Sequence, residues 1–239
     1  MTEPPFSVFC VPFAGAGAGI FRKWQGFRPE RLRFVPVQFP GREERFGEEP
    51  CKTMLQLVDE CVQQIRSTAA GGRFAVFGHS FGALVAYETA RYLVEREVIR
   101  PTCLIVSGAA APSVRRLKLG LSELPDDELV GRLAEQVGYD HRALHHPELR
   151  ELLLPALRSD LAIADGYEPQ AAYPLPVPIS AVRGTRDQMV SSEDAALWKS
   201  ATSSDFRLVE IPGDHMYFAD DWTSLAAHIS QLADAVVPA

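Results

Sequence analysis

Short apolar runs alternate along the chain with segments whose apolar positions recur every three or four residues. Residues 6–12 (FSVFCVP) form the first run and end in a glycine-rich turn, Gly15 to Gly19. Residues 32–39 (LRFVPVQF) form a second, stopped by Pro40-Gly41. Four more runs follow, at 73–77 (RFAVF), 102–107 (TCLIVS), 177–182 (VPISAV) and 206–211 (FRLVEI). Bounded by turn residues, such runs predict buried strands. Between them, residues 53–66 place Leu55, Val58, Val62 and Ile65 at helical spacing, residues 83–97 repeat the pattern, and a last amphipathic helix is expected from about Ser224 to Val236. Near-continuous apolar strands alternating with helices predict a mostly parallel sheet covered on both faces.

The alternation breaks between residues 112 and 176. Two helical segments, 126–137 and 147–164, precede the proline-rich YPLPVP. Pro147 suits a first helical turn, and Leu149, Leu152, Leu153, Leu157 and Leu161 supply an apolar stripe. The reading is one α/β domain, residues 1–111 and 177–239, with residues 112–176 inserted as a helical lid over the carboxyl edge of the sheet.

Chemistry concentrates at Gly78-His79-Ser80-Phe81-Gly82, a G-x-S-x-G pattern placed between a predicted strand and a predicted helix. That context is a nucleophile elbow, in which a tight turn lifts the serine hydroxyl above the sheet edge. A serine hydroxyl needs a base to take its proton. In this fold logic an acid and then a histidine follow in chain order. Of the six histidines, only His215 stands in a turn directly after a strand, in FRLVEIPGDHMYF. His79 belongs to the elbow, with its side chain expected to face away from the nucleophile; His141, His145 and His146 fall in the insertion, and His228 in the last helix. Asp187 follows the strand VPISAVRG at the same sheet edge and is the candidate acid, with Asp214 and Asp194 as alternatives; Asp160 and Asp165 are set aside with the insertion. Two backbone amides are expected to hold the oxyanion: that of Phe81, at the helix start, and that of Phe13 or Ala14 in the loop after the first strand.

Other features exclude other classes. With 24 Lys+Arg against 31 Asp+Glu the formal charge is −7, the wrong balance for a nucleic-acid partner. Gly15-x-Gly17 imitates a dinucleotide fingerprint, but Ile20 takes the third glycine position and no acidic residue ends the next strand. His141 and His145 lie four apart without the cysteines or carboxylates a metal site would add, so no metal is expected. The four cysteines show no paired spacing, which suits a reducing cytoplasm. No signal peptide and no membrane span are expected.

Five segments in order resemble the stand-alone type II thioesterases that serve polyketide and non-ribosomal peptide synthases. They are Pro12-Phe13-Ala14-Gly15 through Phe21-Arg22-Lys23-Trp24, Phe39-Pro40-Gly41-Arg42-Glu43 through Arg45-Phe46, GHSFGALVAYETA, RGTRDQMV and PGDHMYF. Gly15-Ala16-Gly17 and Met216-Tyr217 depart from the family's usual paired glycines and paired phenylalanines. The resemblance implies the α/β-hydrolase fold and hydrolysis of acyl thioesters on the phosphopantetheine arm of acyl or peptidyl carrier protein domains, clearing stalled or aberrant acyl groups. It implies no cofactor of the enzyme's own, since phosphopantetheine arrives on the substrate, and a monomer is expected. The basic run Arg115-Arg116-Leu117-Lys118 reads first as a solvated loop. At the lid's start it is also the candidate surface for docking an acidic carrier. A medium-chain fatty acyl thioesterase, a general carboxylesterase and a catalytically silent synthase-docking module are the competing readings.

Overall fold

The structure, a computed structural model, describes residues 5–26, 32–69, 72–96, 99–115, 118–138, 141–169, 174–220 and 222–236. Six strands form one sheet: β1 (Phe6–Val11), β2 (Leu32–Pro36), β3 (Phe74–His79), β4 (Cys103–Ser107), β5 (Ile179–Gly184) and β6 (Phe206–Ile211). They pair in the order β2-β1-β3-β4-β5-β6, every pair parallel. The second strand stops at Pro36, short of the expected residue 39; Val37 still donates to the carbonyl of Cys10 at 2.9 Å, and Gln38 turns to side-chain partners, its amide donating to Gln64.

Side chains on successive strand positions serve opposite faces. Phe9, Val11, Phe74, Val76, Leu104 and Val106 join one core with α1 (Met54–Ala69) and α2 (Phe81–Arg96). Val8, Cys10, Ala75, Phe77 and Ile105 join a second with Phe21, Trp24 and Leu225. Trp24 belongs to a 3-10 stretch, Ala18–Gly26, and Leu225 to the last helix. A buried leucine or phenylalanine contributes about 1.5–3 kcal/mol, so both faces stabilise the sheet. Within α1 the buried stripe is Leu57, Val58, Cys61, Val62 and Ile65, while Leu55 is 60% exposed. The expected stripe was thus out of phase at its first position. All four cysteines are free and buried; burial pushes the thiols of Cys61 and Cys103 up to about 12.

Between β4 and β5 run α3 (Asp126–Val137) and α4 (Pro147–Asp165). Asp126, Asp127 and Glu128 occupy the first turn of α3, where negative charge suits the helix dipole. Leu121, Leu129, Val130, Leu133, Leu144, Leu154 and Leu157 form a small core of their own. On α4, Leu149 and Leu152 are exposed and Leu154 and Leu157 buried, a rotation of the expected stripe toward the C-terminal half. Several short helices escaped the periodicity, among them α5 (Ser192–Ala196) and α6 (Tyr217–Asp220), each at most five residues, and the 3-10 stretch at 18–26. The chain closes with α7 (Trp222–Val236).

Candidate active site

The strand order reverses direction between β1 and β3, and open parallel sheets place their ligands beyond the carboxyl ends at such a switch point. The loop after β1 and the turn after β3 flank this crevice. Ser80 sits in the turn with φ +53°, a left-handed conformation rare for a residue with a side chain. The Ser80 amide donates to the carbonyl of Ser107 at 2.7 Å, and the carbonyl of Ser80 accepts from Ala83 at 3.0 Å, so both neighbours fix the turn. Glycine is required on either side. A Cβ on Gly78 would lie 2.0 Å from the carbonyl oxygen of Gly82, and one on Gly82 would lie 2.4 Å from that of Pro12.

Ser80, His215 and Asp187 come together. The Oγ of Ser80 lies 3.0 Å from Nε2 of His215, and Nδ1 of His215 lies 3.0 Å from Oδ2 of Asp187. Asp187 is buried, and its other oxygen accepts from the amides of Met189 at 2.9 Å and Val190 at 3.1 Å. Burial raises its carboxyl, but the His215 contact and these two amides outweigh it and hold the group below the usual carboxylate range. An ionised Asp187 fixes the proton of His215 on Nδ1 and leaves the Nε2 lone pair toward the serine hydroxyl. Arg183 on β5 braces the acid's turn, donating to the carbonyls of Asp187 and Val190 while pairing with Glu210 on β6.

The alternatives are elsewhere. Asp214, next to His215, turns into solvent and pairs with the exposed Arg186 at 2.9 Å. Asp194 lies in α5 at the wall of the neighbouring cavity. His228 contacts Ser180 at 3.1 Å, and Nδ1 of His141 accepts from the amide of Ala143 at 3.3 Å. Among the described residues no group of three or more His, Cys, Asp or Glu is arranged to hold a metal, and no helix is long and apolar enough to cross a membrane.

Beside the triad opens a cavity of about 570 Å³, within the range of small-molecule sites. Phe13, Ala14, Ser80, Phe81 and His215 line its catalytic end, and Leu121, Leu133, Leu157 and Leu161 of the insertion line its far wall. Phe81 opens α2, where the first amides lack intrahelical acceptors and face outward. In the β1 loop the amide of Gly15 is engaged by Asp160 and that of Ala16 by the carbonyl of Phe13, so neither serves an oxyanion, and Phe13 and Ala14 stay the candidates. Arg115 is exposed and lines the same cavity, Lys118 is exposed, and Arg116 falls outside the described residues.

Two arrangements escaped the sequence reading. His79 is fully buried with its ring 5.0 Å from that of His215. Its Nδ1 meets Ser107 Oγ at 2.8 Å, and Ser107 Oγ meets the Tyr217 hydroxyl at 2.6 Å. Burial, and then the neighbouring His215, lower the His79 pKa well below the usual imidazole range. Second, Asp160 of α4 forms a buried ion pair with Arg42 at 2.7 Å. An acid seven residues from Leu153 and three from Leu157, on an apolar helix face, was the available signal.

A six-stranded parallel sheet carrying a strained serine elbow, with acid and histidine following in chain order, places this chain among the α/β hydrolases. Comparison with known proteins narrows the class. Residues 6–232 match the model of the thioesterase domain family, and the chain belongs to that family. It is 36% identical over 221 residues to the thioesterase PikA5 of Streptomyces venezuelae, covering 92% of this chain and 78% of that protein. It is 33% identical over 210 residues to the gramicidin S biosynthesis protein GrsT of Aneurinibacillus migulanus, covering 88% and 82%. Among solved structures, the type II thioesterase BorB from the borrelidin biosynthetic cluster superposes with a TM-score of 0.84 at 30% identity, covering 96% of this chain and 94% of that one.

Proposed function

We propose that this thioesterase hydrolyses acyl thioesters on the phosphopantetheine arm of carrier protein domains, removing stalled or aberrant acyl groups from a polyketide or non-ribosomal peptide synthase. The observation that carries the reading is the unbroken relay Ser80–His215–Asp187, with 3.0 Å at each step, opening onto an apolar chamber. His215 takes the Ser80 proton as the oxygen attacks the thioester carbonyl. The amides of Phe81 and of Phe13 or Ala14 receive the oxyanion. His215 then passes the proton to the departing thiol, leaving an acyl-Ser80 ester. Water, deprotonated by His215, releases the acid and restores the serine hydroxyl.

The insertion, residues 112–176, acts as the lid of the acyl chamber. Arg115, Arg116 and Lys118 at its start receive the acidic carrier. The protein's own groups suffice for each proton transfer, and the free, buried thiols fit a reducing cytoplasm. The pathways named for GrsT, PikA5 and BorB support the synthase assignment.

The test is a panel of acyl groups on one purified carrier protein, with Ser80→Ala as control. Wild type is expected to release free acid from the carrier thioester and the variant to lose that activity. Faster turnover of a soluble oxoester at saturation, with no gain from the carrier, refutes the assignment.

A further inference from the structure

The β1 loop that carries Phe13 and Ala14 does not hold its shape alone. Its carbonyls and amides are bound by two segments far away in the chain. From one side, the Pro40-Gly41-Arg42-Glu43 segment reaches it: Arg42 Nη1 donates to the carbonyl of Ala16 at 3.2 Å, and the Glu43 carboxylate accepts from the amide of Gly19 at 3.0 Å. From the other side comes Asp160, in the middle of α4. Its Oδ2 accepts from the amide of Gly15 at 2.8 Å and from Arg42 Nη1 at 2.7 Å, while Oδ1 accepts from Arg42 Nη2 at 3.1 Å. Gly15 has φ +75°, and a Cβ there would lie 2.8 Å from the Leu157 side chain, so loop and helix are in direct contact.

We infer that Asp160 and Arg42 are positioning residues for the oxyanion-binding loop, tying its geometry to the seating of lid helix α4. Burial and connectivity carry the inference. Asp160 is 1% exposed and Arg42 4%. A desolvated ion pair is by itself weak evidence for stability, because the cost of removing both charges from water offsets much of their attraction. This pair also does something an apolar replacement cannot: one carboxylate oxygen is shared between the guanidinium and the amide that immediately follows Ala14. If α4 lifts, Gly15 loses its acceptor and the amides before it lose their register with Ser80. Chamber closure and oxyanion stabilisation are thereby one event. The inference rests on the proposed hydrolytic reading, in which that loop supplies a donor.

The test compares Asp160→Ala with Asp160→Asn. The asparagine keeps a carbonyl oxygen for the Gly15 amide while discarding the charge. Two measurements are made on each folded variant: kcat and KM on a small acyl thioester, and the rate at which a fluorophosphonate labels Ser80, whose phosphoryl oxygen needs the same amides. Asp160→Ala is expected to lower kcat and labelling together by about a hundredfold, the cost of roughly 1 Å of misplacement, with KM little changed. Asp160→Asn is expected to regain most of both, although its melting temperature falls. Labelling does not need the correct acyl group, so it reads the loop even where wild type cleaves no thioester, an outcome that would remove the hydrolytic reading alone. If neither Asp160 variant folds, Arg42→Lys is measured, and a fall in labelling with KM unchanged is the expected result. Variants that melt earlier yet label and turn over at the wild-type rate reduce the pair to a structural staple and overturn the inference.

Discussion

Gly184 ends β5, three residues before Asp187, and the turn that carries His215 passes directly over it. A Cβ at this position would lie 2.3 Å from the carbonyl oxygen of Asp214 and 2.5 Å from that of Gly213. Both contacts are to backbone, so no side chain can rotate away. Ordinary contact begins near 3.4 Å, so Gly184→Ala must drive the Asp214 peptide back by about 1 Å. The strap cannot slip sideways easily, because Thr185 donates to the carbonyl of Ile211 and Arg186 to that of Gly213, each at 2.9 Å. His215 follows Asp214 and moves with it. Its 3.0 Å approach to Ser80 would open toward 4 Å, beyond hydrogen-bonding range. A positioned general base contributes about 10²–10⁴ in rate, so kcat/KM on an acyl thioester should fall by about a hundredfold or more. Gly184 closes a strand at the sheet edge, so far-ultraviolet circular dichroism should show the fold intact with a lower melting temperature. The assay is steady-state thioester hydrolysis, with fluorophosphonate labelling counting competent Ser80. A folded variant within about threefold of wild type would refute the reasoning, showing that the histidine turn absorbs the displacement without losing its register.

Two further outcomes are expected. His79 is buried and neutral, with its pKa depressed, whereas in the unfolded chain it titrates near 6.5. The unfolded state therefore binds the extra proton first: stability from this residue is complete above about pH 6.5 and declines as pH falls, by at most about 1.4 kcal/mol per unit. Urea titrations between pH 7 and 5 should show a shallower acid limb in His79→Gln than in wild type. His228, also depressed by burial, contributes to both and cancels in the difference, so parallel limbs would contradict the assignment. Lys118 is exposed and stands outside the cavity lining that includes Arg115, so reversing Lys118 to glutamate should raise KM for carrier-bound acyl groups and leave KM for small thioesters unchanged; equal changes would remove the docking role.

The positions of Ser80, His215 and Asp187, which the structure links by contacts of 3.0 Å, were legible because each is a local statement. A strand, a turn and a helix start are written in neighbouring residues, and the order Ser80, Asp187, His215 follows from the fold. Helix phase was less legible. In α4 six leucines offer two overlapping stripes, and only the tertiary partner decides that Leu154 and Leu157 turn inward while Leu149 and Leu152 face solvent. Helices of four or five residues, such as α5 and α6, complete too few turns to show a period. Asp160 was set aside as part of the insertion because its partner, Arg42, lies 118 residues away. No window along the chain contains both, although Arg42 stands in the P-G-R-E segment.

Two imidazoles packed 5.0 Å apart pose a question that composition does not answer: which one takes the serine proton. Their partners decide it. His215 has an ionised carboxylate at Nδ1 and the Ser80 hydroxyl at Nε2, so a proton gained at Nε2 meets an opposite charge across the ring. His79 meets a hydroxyl, Ser107, which in turn meets the Tyr217 hydroxyl. The hydroxyls of Ser107 and Tyr217 can donate in either sense, and Nε2 of His79 is buried without a hydrogen-bond partner among the described residues, so a second ring proton would leave one buried N–H unpaired. A cation there would have no carboxylate partner and would repel the imidazolium of His215 during catalysis. Keeping His79 neutral thus protects the charge that His215 must carry in the transition state.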